Sequence, residues 1–284
     1  MSSKRKHALS FDVEEFFHVA NLRAHFPTMD SWEDAPSRID VGMNSVLDVL
    51  AANDARATFF FLGWVAERRP DLVLRVHEAG HEVASHGYDH RFIGDVGQEG
   101  IEEHLGRTEE AILSAGAPRP VGFRASTFTI NRDTFWALEA LASRGYHYDS
   151  SIHPVHHPTY GIPDFEPGIS VVNTDAGEIV EFPVSTYPAF GRNLPVGGGG
   201  YFRLLPGFLH RAALGRLERM GRPTAIYLHP WEFDPEQPRY DAPLLKRFRH
   251  YLNLDRSLPR LERLVRRFSF GTMREVLEGE GHSF

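Results

Sequence analysis

The 284-residue chain contains no cysteine. That excludes disulfides, thiolate nucleophiles and cysteine-held zinc, so any metal must be bound by histidine and carboxylate. Apolar runs long enough for a membrane-spanning helix, ~20 residues, are missing as well. Positive charge is in deficit: 31 Lys and Arg against 38 Asp and Glu leave a net charge of −7. A nucleic-acid partner is therefore not expected, because phosphate contacts favour a basic patch. The basic clusters that do occur, Lys246 to His250 and Arg263 to Arg267, read as solvated helix faces. The start, Met1 to His7, is basic but lacks the long apolar stretch and small-residue cleavage site of a signal peptide, so a cytoplasmic location is expected. Internal repeats and low-complexity linkers are absent. With 42% hydrophobic residues the chain can bury one large core. Residues 1–284 are expected to form a single domain, with residues 240–284 as a C-terminal helical extension of it.

Strand-like and helix-like patterns alternate along this core. His7 to Val13 and Ala57 to Leu62 read as buried strands, His81 to Ser85, Val121 to Ala125 and Tyr146 to Asp149 as shorter ones, and Thr224 to Leu228 as a late one. Between them, helical spacing runs over 37–52, 72–79, 100–114, 132–143 and 207–220. This order predicts an α/β fold with right-handed crossovers and a parallel sheet. Residues 150–168 break the rhythm with prolines, histidines and aromatics. A hairpin is expected around Asp175-Ala176-Gly177. Gly197 to Gly200 lacks the Gly-Lys-Ser/Thr of a phosphate loop and reads as a tight turn that brings backbone close to a ligand. In parallel α/β folds the loops after the strand ends share one face, and Asp12, Ser85, Arg124, Asp149 and His229 all fall there.

Two of the 16 histidines, His86 and His90, are four apart, which on a helical turn puts both imidazoles on one side. A carboxylate from Asp12-Val13-Glu14 could complete a set of two histidines and one acid that leaves room for water on a divalent metal. Such a set suits a metal-dependent hydrolase. His153, His156 and His157 have no carboxylate at ligand spacing and read as substrate contacts or surface. Trp231 reads equally as a sugar platform or a core aromatic.

These residues resemble the motifs of the NodB-homology polysaccharide deacetylases, carbohydrate esterase family 4. The matching stretches, in the family's order, are Ser10 to Glu14, His86 to His90, Arg124 to Phe128, Asp149 to Ser151 and Leu228-His229. Gly198 to Arg203 and His229 to Glu232 further resemble a subgroup linked to exopolysaccharide and exosortase loci. The resemblance implies a distorted (β/α) barrel and a hydrolase that removes N-acetyl groups from amino sugars of a polysaccharide or its lipid- or nucleotide-linked precursor. It also implies a divalent metal, with zinc as the expected ion, and a carbohydrate as the partner; a homo-oligomer is not excluded.

By the same resemblance Asp12 is the general base, Glu14, His86 and His90 the metal ligands, and His229 the general acid. Arg124 would hold the base carboxylate, and Asp149 would contact His229. A backbone N–H of Thr127 or Phe128 would serve the oxyanion. Two departures stand out. The family's adjacent Asp-Asp pair is here Asp12 and Glu14 around Val13, so exchanged roles for the two acids stay open; and Ser126 stands where the family has proline. Glu15, facing away along an extended strand, reads as structural. A cyclic-amide or ureide amidohydrolase and a catalytically silent carbohydrate-binding protein are the competing functions.

Overall fold

The longest strand, β1 (Lys6–Val13), is buried from His7 onward because it has neighbours along both edges. The structure, a computed structural model, describes residues 5–157 and 159–284; Met1 to Lys4, the greater part of the basic start, and Pro158 lie outside the described residues. The parallel strands that follow are β2 (Thr58–Phe61), β3 (Glu82–Ser85), β4 (Gly122–Phe123) and β5 (Tyr148–Asp149). The expected hairpin forms from β6 (Ser170–Thr174) and β7 (Gly177–Glu181), and β7 joins β5 in parallel. A second hairpin, β8 (Thr186–Ala189) with β9 (Arg192–Pro195), stands apart. β10 (Ala225–Leu228) pairs with one edge of β1, and β11 (Ser269–Gly271), from the C-terminal tail, also pairs with β1. The tail read as a helical extension thus returns a strand to the main sheet.

The sheet order is β10-β1-β2-β3-β4-β5-β7-β6. The outer edge of β10 is covered by irregular chain: Ser185 N–H donates to the Ala225 carbonyl (3.2 Å), Tyr227 N–H to Gly197 (2.7 Å) and Gly199 N–H to Tyr227 (2.9 Å). Closure of this kind leaves no bare edge along β10 and gives a distorted α/β barrel, as expected. The glycine run makes one close approach within the fold. A side-chain carbon on Gly198 would sit 1.8 Å from the Tyr227 carbonyl oxygen of β10.

The helices mostly match their spacing. Ile39–Ala52 and Pro70–Glu78 form as expected, and the third helix starts earlier than expected, spanning Ile93–Ser114 with a break at Gly97. The helix expected over 132–143 is divided into a 3₁₀ turn at Arg132–Thr134 and a helix at Ala137–Ser143. Among the described residues no helix is long and apolar enough to cross a membrane.

Candidate active site

Strand register builds the mouth of the barrel. Val13, Phe61, Ser85, Phe123, Asp149 and Glu181 lie side by side across β1, β2, β3, β4, β5 and β7. The residues that follow, Glu14, His86, Arg124 and Ser150 among them, therefore emerge together at one rim. Leu228 is level with Phe11, so His229 joins the same rim beside Asp12.

His86 and His90 converge, but not on a helical turn. The segment bends through Gly87 at φ +72° and His90 at φ +56°, values closed to a right-handed helix. A side-chain carbon at Gly87 would also meet His104 Nε2 at 2.3 Å. One potential ligand atom from each of Glu14, His86 and His90 lies within 4.8 Å of the others, and all three residues are buried. His86 Nδ1 faces the Arg124 carbonyl at 2.8 Å. That bond puts the ring proton on Nδ1 and leaves the Nε2 lone pair free. Burial, with His90 nearby, outweighs the pull of Asp12 and holds His86 at about 4, so it is neutral at pH 7. Glu14 Oε2 is buried without a hydrogen bond among the described residues, yet lies 2.7 Å from His90 Nε2. Burial alone would raise the Glu14 pKa, but His90, then His229 and His86, bring it well below the usual carboxylate range. Neutral imidazole, an ionised carboxylate and lone pairs turned inward fit a divalent cation. Trp231 Nε1 donates to Glu14 Oε1 (3.2 Å) and its ring stacks on His250 at 4.6 Å; it positions Glu14 from the core.

Asp12 Oδ1 accepts from Arg124 Nη1 at 2.6 Å. Arg124 is fully buried, donates also to Ser10 and to Ser150, and lies 4.1 Å from the centre of the Phe60 ring. Asp12 Oδ2 is 3.8 Å from His229 Nε2, and Glu14 Oε1 is 3.6 Å from the same nitrogen. Both acids thus address the histidine although β1 stops at Val13 between them.

The carboxylate behind His229 is Glu232, not Asp149. Glu232 Oε2 lies 3.4 Å from His229 Nδ1 and accepts the His229 backbone N–H at 3.0 Å, while Oε1 accepts from buried Arg203 at 2.8 Å. Burial would raise the Glu232 pKa; Arg203 and His229 hold it at about 2. Burial would likewise lower the His229 pKa, but Glu232, then Glu14 and Asp12, raise it to about 9. Asp149 instead accepts from Ser151 Oγ (2.6 Å) and Ser151 N–H (3.0 Å). Ser151 Oγ in turn accepts the Ala125 N–H at 2.7 Å, so Asp149 anchors the loop that leaves Arg124. Glu232 was legible in principle: it follows His229 by three residues, the spacing of a capping box.

In the loop after Arg124, the Phe128 N–H is spent on Ala125. Thr127 and Phe128 both hold left-handed φ, +55° and +56°, a costly pair for residues with side chains. Glu15 is structural, as expected: its carboxylate accepts the Arg38 and Ile39 N–H groups at the start of helix Ile39–Ala52. His153, His156 and His157 do not join the Glu14 cluster.

Comparison with known proteins finds matches in both halves of the chain. Residues 30–148 match the model of the family described as polysaccharide deacetylase, and residues 150–278 match a domain of unknown function, DUF3473. A chitooligosaccharide deacetylase of Rhizobium leguminosarum bv. trifolii is 41% identical over 85 residues, 30% of this chain and 39% of that protein. A peptidoglycan-N-acetylglucosamine deacetylase of Bacillus cereus is 34% identical over 76 residues, 26% of this chain and 28% of that protein. These matches span well under half the length of either curated relative. In fold, a Mycobacterium smegmatis protein assigned as a polysaccharide deacetylase superposes with a TM-score of 0.64 at 18% identity, over 98% of this chain and 92% of that one. His86, His90 and Arg124 lie inside the first matched segment, whereas His229, Glu232 and Arg203 lie inside the second. Both segments contribute to one mouth, and within it residues 30–148 are similar to the polysaccharide deacetylase family.

Proposed function

We propose that this protein hydrolyses the N-acetyl groups of amino sugars in a polysaccharide or its lipid- or nucleotide-linked precursor, using a divalent metal, with zinc the preferred ion. The observation that carries this reading is the meeting, at one buried mouth, of the Glu14, His86 and His90 cluster with Asp12 and His229. A cation bound by Glu14, His86 and His90 would polarise the acetyl carbonyl and lower the pKa of a water molecule there. Asp12, fixed by Arg124, takes the proton of the attacking water. His229, kept protonated by Glu232, gives a proton to the nitrogen as the C–N bond breaks, so that acetate and a free amine leave. Asp149 acts at a distance, by anchoring the loop that carries Arg124. The names of the two curated relatives point to N-acetylglucosamine polymers as substrates. The resemblance of Gly198 to Arg203 and His229 to Glu232 to an exopolysaccharide-linked subgroup favours an exopolysaccharide or its precursor.

Acetate release from N-acetylglucosamine oligomers tests the reading. It is expected with metal-loaded protein, to disappear on chelation and in His86→Ala, and to fall roughly 10²–10⁴-fold in His229→Ala with metal content unchanged. The His229→Ala loss should shrink for an activated aryl acetate, whose leaving group needs no proton. Acetate release indifferent to both chelation and His86→Ala would overturn the proposal.

A further inference from the structure

The part of the proline-rich loop from Pro154 onward and the β8–β9 hairpin, neither of which contributes to the chemistry above, face one another across an open groove of about 530 Å³. That volume is within the roughly 300–1,000 Å³ of sites that bind small molecules. Its walls are unusual for a surface cleft. Tyr160 is sandwiched between His157, at 3.8 Å and 15° between planes, and His153, at 5.7 Å and 5°. Phe190, at the hairpin tip, is 98% exposed. Tyr201 completes the aromatic lining, Asn193 and Arg192 supply hydrogen-bonding groups, and no carboxylate lines the groove.

The inner end of the stack is buried and unpaired. His153 is 1% exposed, and neither ring nitrogen has a hydrogen-bond partner among the described residues. Burial holds His153 at about 3 and pulls His157 below its ordinary value, so both rings are neutral at pH 7. An unbroken series of rings links this stack to the mouth: Tyr160 to Phe128 (6.2 Å), Phe128 to Tyr227 (4.6 Å) and Tyr227 to His229 (5.6 Å).

We propose that the groove binds the uncharged flank of a glycan chain, the sugar units beyond the one being hydrolysed. Phe190, Tyr201 and the His157–Tyr160 stack offer ring faces to the apolar C–H faces of pyranoses, while Asn193 and Arg192 donate to hydroxyl and acetamido oxygens. A flat aromatic lining without acids suits a neutral polymer better than a cation or a peptide, and the ring series, packed in the interior, fixes the groove wall relative to the mouth. The identity of the glycan depends on the deacetylase reading; the existence of the groove as a binding site does not.

The test separates the two. N-acetylglucosamine oligomers of two to six units are titrated calorimetrically into full-length Asp12→Asn protein, which should not turn them over. Affinity should rise with length. Phe190→Ala and Arg192→Ala, both at exposed positions, should each weaken the hexamer by roughly 2- to 12-fold and leave the dimer, and aryl acetate hydrolysis by protein with Asp12 intact, unchanged. Length-independent binding, no binding, or equal weakening of dimer and hexamer would overturn the groove. Length-dependent binding by a protein that releases no acetate when Asp12 is intact would keep the groove and defeat the deacetylase reading. Acetate release without length dependence would do the reverse.

Discussion

Glu14 stands where the deacetylases this chain resembles carry a second aspartate, and as the proposed metal ligand it is one methylene longer, a length the structure accommodates with Trp231. The indole N–H occupies one Glu14 oxygen and leaves the other turned toward His90. Glu14→Gln is expected to weaken metal binding by more than the roughly 10–100-fold typical of losing an outer partner, and Trp231→Phe by about that amount. Asp12→Asn should retain the metal and lose turnover; equilibrium dialysis with metal analysis of the three variants checks this. Loss of metal in Asp12→Asn with retention in Glu14→Gln would exchange the two roles. His229 carries a second expectation. In the proposed role of proton donor it is active only when protonated, so the rate should fall as pH rises through its raised pKa, about 9 before a bound cation's own charge lowers it. Glu232→Gln removes the largest influence raising that value and should move the alkaline limb of kcat toward neutral pH while metal content stays constant. An unmoved limb would mean that Glu232 does not set the His229 proton affinity.

Helix Ile39–Ala52 is the element on which the acid side of the mouth leans. Glu15 caps its first turn, and at Gly42 the helix backbone touches the loop after His229 so closely that an added methyl would lie 1.9 Å from the Pro230 carbonyl oxygen. Gly42→Ala should therefore push the His229–Glu232 turn outward, lower stability by roughly 1–3 kcal/mol and cut turnover more than metal binding; thermal melts and metal analysis read the two effects separately. Unchanged melting and turnover would show that the turn yields without consequence. None of this contact is visible in the sequence, where Gly42 is one more small residue in a helical stretch. What was legible was local: the buried strands are built around short apolar runs, so their ends, and hence Asp12, His86, Arg124 and His229, could be placed by pattern. What was not legible was which neighbours meet across the barrel. Asp149 ends its strand as expected, but the register sets it beside Glu181, a residue that arrives only after the long loop and a hairpin. The β8–β9 pair escaped notice because Pro188 and Pro195 discourage a strand assignment, although an isolated hairpin with free edges tolerates them.

The two halves of the molecule meet on one side along β5 and β7, and there Asp149 and Glu181 face each other, both fully buried. Burial and then the charge of Asp149 raise the Glu181 pKa well above its ordinary value; burial raises Asp149 too, but its bonds from Ser151 and the nearby Arg124 charge oppose that rise, so Glu181 is the member of the pair that holds a proton. This has a definite sign for stability. Above about pH 4.5 an unfolded chain releases the Glu181 proton while the folded chain keeps it, so the folded state loses stability as pH rises toward the raised value, by at most about 1.4 kcal/mol per pH unit. Glu181→Gln imitates the protonated acid: its carbonyl can accept the Ile152 N–H now bound at 3.0 Å by Glu181 Oε1, and its amide can donate to Asp149. The variant should therefore gain stability over the unsubstituted protein as pH is raised from 5.5 to 8.5. The buried histidines also titrate in this window, but they are common to both proteins and cancel in the difference. Denaturant melts at several pH values measure it. A difference between the two proteins that stays constant with pH would show that Glu181 is already ionised in the folded barrel, and that the halves are joined there by a pair of like charges.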